Sequence, residues 1–346
     1  MMFGLIVLIA SVNPETPGNE ARRYSDPAID SLLTAGIELT LRQEYDQAQH
    51  VFKRIADRFP DNPAGYLYQA ALLQSKALDY EELVPEGRFD SLLATAAEKS
   101  EQLIARQPEL PWGYFFLGTA LGNEAFALSE RGDWFGAVTR GMSSVTNFEK
   151  AVELDSLMVD AYTGIGTYFY WKSRKIEFLT WLPFIGDRRE RGIELLHRCA
   201  EDGIYNRFAS MSALVSIYID AAEYEKAADV AEEALADVPR NRIFLWGLAT
   251  SLERGNRVQE ALGAYRRLLN SIAEDPHPNY YNELVCRLNL LMLAMKSGGA
   301  GNISEELSTI RRLAAWDFPG HLDDRVKDKR EKIRQLEHRL TEDGSR

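Results

Sequence analysis

Histidine, cysteine and serine supply most metal ligands and nucleophiles in proteins, so chemistry would first be legible in their spacing. The chain carries five histidines, His50, His197, His277, His321 and His338, and two cysteines, Cys199 and Cys286. A helical zinc site needs two ligands one turn apart, as in His-Glu-x-x-His, and a cysteine site needs short paired spacings. Neither pattern occurs, and no serine stands in a Gly-x-Ser-x-Gly elbow. His197 and Cys199 are two positions apart, which on a helix aims them at different faces. Glu124, Asp187 and Glu190 sit in charged helical stretches and read as solvated faces. The run Gly298-Gly299-Ala300-Gly301 is not followed by Lys-Ser or Lys-Thr, so it reads as a turn between helices rather than a phosphate cradle. No catalytic residue, metal or cofactor is expected, and the chain reads as a non-enzyme whose chemistry is binding.

Two stretches could bind through apolar side chains. Phe178-Leu179-Thr180-Trp181-Leu182-Pro183-Phe184-Ile185-Gly186 is flanked by Lys172, Arg174 and Lys175 and by Arg188, Arg189 and Arg191. Loops are seldom this apolar. Either the 175–186 loop folds back over neighbouring helices, or Phe178, Trp181 and Phe184 dock on an anionic membrane surface, a hydrophobic ligand or an acidic partner. The second stretch, Phe3 to Ala10, is an apolar run followed by a polar, proline-bearing segment, like a secretory signal but with no Lys or Arg ahead of it. Residues 1–12 are read as a signal or hydrophobic N-terminus and 13–27 as a linker, which favours export or the cell envelope over the cytoplasm. The net charge of −12 repels phosphate backbones, so nucleic acid is not an expected partner.

The elements that position these residues follow a repeat. Composition is that of a globular chain, 45% hydrophobic and 27% charged, and 346 residues would ordinarily suggest about two domains. A small residue followed at helical spacing by apolar residues, and often then by proline, recurs. Ala48, Phe52, Ile55 and Pro60 form one instance; Ala227, Ala231, Ala234 and Pro239 form another. The small position falls at Ala48, Ala96, Ser144, Gly192, Ala227 and Ala261, at intervals of 48, 48, 48, 35 and 34. Each instance is preceded by another amphipathic stretch, such as Leu32, Ala35-Gly36 and Leu39, or Leu245, Leu248-Ala249 and Leu252. Helix pairs in series are the consequence. A small residue is needed where two helices approach most closely, within the usual 8–10 Å.

In these positions the sequence resembles the tetratricopeptide repeat (TPR) family, whose period is about 34 residues. Leu117-Gly118 with Leu121, and Ile165-Gly166 with Phe169, fit its first helix. The resemblance implies an all-α, right-handed α-solenoid of antiparallel helix pairs with a C-terminal capping helix. Seven pairs are expected within 28–316: 29–62, 63–110, 111–156, 158–203, 204–241, 242–275 and 276–316. The cap spans 321–342, on the stripe Leu322, Val326, Ile333, Leu336 and Leu340. Surplus chain in the second to fourth pairs falls between their two helices, with a tight turn at Arg131-Gly132-Asp133 in the third.

The resemblance also implies that the first helix of each pair lines a concave groove. Carried over position by position, the groove contacts are Tyr68, Trp112, Phe116, Tyr170, Trp246, Tyr280 and Tyr281. One subset of the family grips a C-terminal carboxylate through paired Lys and Asn, but Leu33 and Ile37 stand at those positions here. An aromatic groove instead fits a peptide or protein segment with apolar anchors, or the chain's own N-terminal segment. The expected function is that of a scaffold or adaptor.

Overall fold

The computed structural model describes residues 23–175, 186–299 and 303–343. The apolar stretch within 1–12, and Phe178, Trp181 and Phe184, lie outside the described residues. Among those described there are fifteen α-helices and no strand. They are α1 (Pro27–Leu41), α2 (Tyr45–Arg58), α3 (Ala64–Tyr80), α4 (Glu86–Arg106), α5 (Pro111–Glu130), α6 (Trp134–Leu154), α7 (Tyr162–Lys175) and α8 (Arg189–Asp202). There follow α9 (Arg207–Asp220), α10 (Tyr224–Asp237), α11 (Arg242–Arg254), α12 (Val258–Ala273), α13 (Tyr280–Lys296), α14 (Ile303–Ala314) and α15 (Asp323–Asp343). Successive helices pack on one another, as α1 on α2, α5 on α6, α7 on α8 and α11 on α12. The pairs α5 and α7, and α7 and α9, also touch, so the first helix of one pair meets the first helix of the next. This is the packing of a helix-pair solenoid of the tetratricopeptide type.

The local chemistry explains the boundaries. Asp26 accepts from the Ala28 and Ile29 amides ahead of α1, whose first residue is Pro27; Asp133 caps α6 and Asn241 caps α11 in the same manner. The turns leading out of the first helices reverse through left-handed residues: Gln43, Glu81, Gly132, Ala222, Asn256 and Gly298. A residue in that conformation lets the following amide reach back to a helix carbonyl five positions earlier. Glu44 N to Leu39 O, Asp133 N to Leu128 O and Arg257 N to Leu252 O are such bonds, each 2.9 Å. The turn at Gly132 is the one expected from the sequence. The extra chain of the third pair goes into long helices, 20 residues in α5 and 21 in α6.

The small positions are where the helices meet. Ala48, Ala96, Ala227 and Ala261 are fully buried, and Ser144 donates to Gly118 O on the facing helix at 2.6 Å. At Gly192 the approach is main chain to main chain, since a Cβ built there would lie 2.5 Å from Gly166 O.

Two compact units are formed, Met1–Ala77 with Val84–Ala222, and Leu78–Leu83 with Glu223–Arg346. In the first, aromatic side chains of α2, α3, α4, α5, α6, α7 and α9 form much of the core. In the second, α13, α14 and α15 share a leucine and isoleucine cluster that includes Leu288, Ile310, Ile333 and Leu336. The stripe on α15 is therefore the apolar face of a capping helix, with Leu322 and Val326 packed against Tyr281.

Candidate functional site

In the first unit, Asp160 is the organiser of one end of α9. Its carboxylate is buried and accepts from the amides of Ile204 at 3.2 Å, Tyr205 at 2.8 Å and Asn206 at 2.6 Å, while Asn206 Nδ2 donates to its carbonyl at 3.0 Å. An ionised acceptor at a helix N-terminus satisfies orphan amides and complements the helix dipole. Tyr205, fixed in this way, turns its ring edge-on to Trp112 with centroids 5.5 Å apart. Its hydroxyl donates to Asp30 and accepts from the Tyr24 amide at 2.8 Å. Tyr24 in turn stands against Trp112 at 5.2 Å and Phe116 at 5.7 Å, and its hydroxyl accepts from Asn62 Nδ2 at 2.7 Å. Part of the chain's N-terminal segment thus lies on the aromatic wall read from the sequence.

The expected groove residues fall into two groups. Tyr68, Trp112, Phe116, Tyr170 and Tyr281 are buried. Tyr68 packs on Phe52, Tyr170 donates to Asp220 at 2.8 Å beside Arg174, and Tyr281 meets Phe318 and lies under the Arg325 guanidinium. Burial raises the pKa of each of these tyrosines above the ordinary phenol value. Trp246 and Tyr280 are partly exposed, Trp246 edge-on to Tyr265 and Tyr280 tilted against Trp316, which is itself half exposed.

The second unit contains a polar cluster that the sequence reading passed over. Arg242, at the start of α11, is 3% exposed; its Nε donates to Asp79 Oδ1 at 2.7 Å and its Nη2 to Asp79 Oδ2, and Nη1 reaches Asp275 at 2.7 Å. A buried guanidinium held by two carboxylates is retained only when such partners exist. The sequence signal is an arginine leading an apolar run, Ile243-Phe244-Leu245-Trp246, but its partner Asp79 is 163 positions away.

Reactive groups are quiet. Cys199 and Cys286 are free and buried, and burial pushes both thiols up to about 12. Among the described residues no group of three or more His, Cys, Asp and Glu side chains could hold a metal ion, and no helix is long and apolar enough to cross a membrane.

The tetratricopeptide repeat family model matches residues 212–277. No curated protein sequence matches the chain. Among solved structures, the APC/C hetero-tetramer Cut9–Hcn1 matches with a TM-score of 0.52 and 15% identity, over 86% of this chain and 48% of that one. The chain thus spans about half the length of that neighbour. Yeast Tom70 matches with a TM-score of 0.41 and 15% identity, over 96% of this chain and 70% of that one. A thermophilic TPR protein of Thermus thermophilus matches with a TM-score of 0.31 and 17% identity, over 77% and 98% respectively. The paired helices define an α-helical repeat scaffold. With the family match over residues 212–277, the helix pairs of the fold are of the tetratricopeptide-repeat type.

Proposed function

We propose that the chain is a non-catalytic adaptor that binds a peptide or protein segment through aromatic side chains on the first helices of its pairs. The observation that carries this reading is the partial exposure of Trp246 and Tyr280, with Trp316 beside Tyr280. Aromatic side chains that are half packed and half open are the usual anchors of protein contacts. Tyr68, Trp112, Phe116, Tyr170 and Tyr281 form walls that a partner reaches only by displacing what covers them, Tyr24 and Tyr205 in the case of Trp112. The partner is a protein rather than a nucleic acid because the chain carries 52 acidic against 40 basic side chains. The test is recovery of bound proteins by the native chain and by Trp246→Ala with Tyr280→Ala, both checked for equal helicity. One or more species retained by the native chain and lost from the double variant is expected; identical recovery overturns the reading.

A second reading, contact with a membrane or hydrophobic ligand around the 175–186 loop, is favoured by a stripe on α6. Trp134, Phe135, Val138 and Met142 share one side of that helix and are all exposed, Phe135 at 85%, and Lys175 Nζ lies 4.6 Å from the Trp134 ring centroid. Aromatics beside a cationic side chain suit an anionic lipid interface, where Phe178, Trp181 and Phe184 would add to the contact. Flotation with anionic vesicles that is lost on Trp134→Ser with Phe135→Ser supports this reading. Failure of the native chain to float removes it.

A further inference from the structure

The second unit is assembled from two stretches of chain of very different length, 223–346 and the hexapeptide Leu78-Asp79-Tyr80-Glu81-Glu82-Leu83. The hexapeptide is held by side chains reaching to its main chain as well as to its carboxylates. Asn279 Nδ2 and Asn282 Nδ2 both donate to Asp79 O, at 2.8 and 2.9 Å, and His321 Nε2 lies 2.7 Å from Glu81 O. Arg242 grips the Asp79 carboxylate in a two-pronged pair, and Arg325 grips that of Glu81 at 2.5 and 2.8 Å. Between the two carboxylates Tyr80 donates to Asp275 at 3.0 Å and lies tilted against His277 with centroids 4.8 Å apart. These donors come from α11, α13, α15 and the turn before α15, elements brought together by the repeat packing.

Capping of α3 alone would require only its last carbonyls to be satisfied. The site does more, because two planar guanidinium forks read two carboxylates of fixed spacing and a pocket between them reads an aromatic ring. That is how an acidic helix end can be recognised by sequence, with contacts to its last carbonyls giving affinity and side-chain contacts giving selectivity.

We infer that the second unit is a receptor for an acidic peptide of the pattern Asp-aromatic-Glu, and that the chain's own Asp79-Tyr80-Glu81 fills it as an intrachain ligand. The partner is a segment of another protein with two carboxylates flanking an aromatic residue, competing for Arg242 and Arg325. The inference rests on the reading of this protein as a peptide-binding scaffold, and it specifies the chemistry of what is bound. The native site is closed to weak competitors because its own ligand is tethered and present at high effective concentration.

The test uses the full chain and a fluorescent peptide with the sequence of residues 77–84. In anisotropy titrations, Asp79→Ala with Glu81→Ala is expected to bind the peptide at least about tenfold more tightly than the native chain does, since the internal competitor is weakened. Adding Arg325→Ala to that variant is expected to reduce binding by about tenfold or more, as is replacing the peptide's Asp and Glu by Asn and Gln. Equal, undetectable binding by the native and the released chain, with helicity intact, overturns the inference. Should the released variant lose its fold, hydrogen exchange of the native chain decides: excess peptide should accelerate exchange at 78–83, and unchanged exchange at saturating peptide overturns the inference. Peptide binding that survives Trp246→Ala with Tyr280→Ala separates this site from the aromatic one, so either can fail alone.

Discussion

Gly166 and Gly192 face one another across α7 and α8, and the contact is main chain against main chain. A Cβ at Gly192 would stand 2.5 Å from Gly166 O and 3.1 Å from Tyr170 N, neither of which can rotate away. Gly192→Ala therefore has to push the two helices apart, and a cost of about 1–3 kcal/mol is expected, read as a lower urea midpoint. Gly263, inside α12, is the control, because nothing lies within 4 Å of a Cβ built there. Gly263→Ala should stabilise by roughly 0.5–1 kcal/mol through helix propensity, checked by the same titration. The buried thiols make a second prediction at this scale. Burial is the main cause that lifts Cys199 and Cys286 to about 12 from an ordinary 9.0, with the Asp160 charge adding to the effect at Cys199. A folded pKa above the unfolded one means that the stabilisation is complete below pH 9 and is lost as pH rises towards 12. Tyr68, Tyr205 and Tyr265 are raised by burial as well and act in the same direction above pH 10. Melting temperature should thus hold level between pH 7 and about 9 and then fall, with tyrosinate absorbance appearing together with unfolding. A melting temperature that stays constant to pH 11 would contradict this.

Helix ends are fixed by single side chains, and the contact between α1 and the turn ahead of α9 depends on one hydroxyl. Tyr205 O–H joins Asp30 on α1 to the amide of Tyr24, while Asp160 holds the start of α9 in register. Tyr205→Phe removes the bridge but keeps the ring against Trp112, leaving a buried amide without its acceptor. A loss of about 1–3 kcal/mol is expected, measured by denaturant unfolding. The elements themselves were legible in the sequence, because helix periodicity and the small positions at Ala48, Ala96, Ser144 and Gly192 are local properties. The turn at Gly132 was legible for the same reason. What covers the aromatic wall was not. Tyr205 and Tyr24 are 181 positions apart and meet Trp112 only after several pairs have stacked, so no local pattern announces the contact. The pairing of Arg242 with Asp79 was hidden in the same way, since a buried arginine looks like any other until its partner is placed.

At the scale of the molecule, stability in a repeat array is a sum over neighbours, and each helix pair leaves apolar surface for the next element to cover. The pair α13 and α14 is followed by α15, whose charged outer face is spared burial while Val326, Ile333 and Leu336, with Leu322 just ahead of the helix, pack against α13 and α14. Each such side chain contributes about 1.5–3 kcal/mol when fully buried, as an upper estimate. Four together are comparable with the whole stability of an ordinary domain, roughly 5–15 kcal/mol. Ending the chain after residue 319 should therefore do more than trim a tail. It uncovers Leu288, Ile310 and Leu313, and it also removes His321 and Arg325, which hold Glu81. The expected outcome is a chain that binds a hydrophobic dye, self-associates and melts at lower temperature, with helicity lost beyond the 21 residues of α15 itself. The finer comparison is Ile333→Ala with Leu336→Ala against Arg325→Ala in the intact chain. The first pair of changes should reproduce the dye binding because the apolar cover is opened, whereas Arg325→Ala, at a half-exposed ion pair, should leave the melting temperature nearly unchanged. Equal melting temperatures for all three chains would show that α15 is an appendage rather than the end wall of the array.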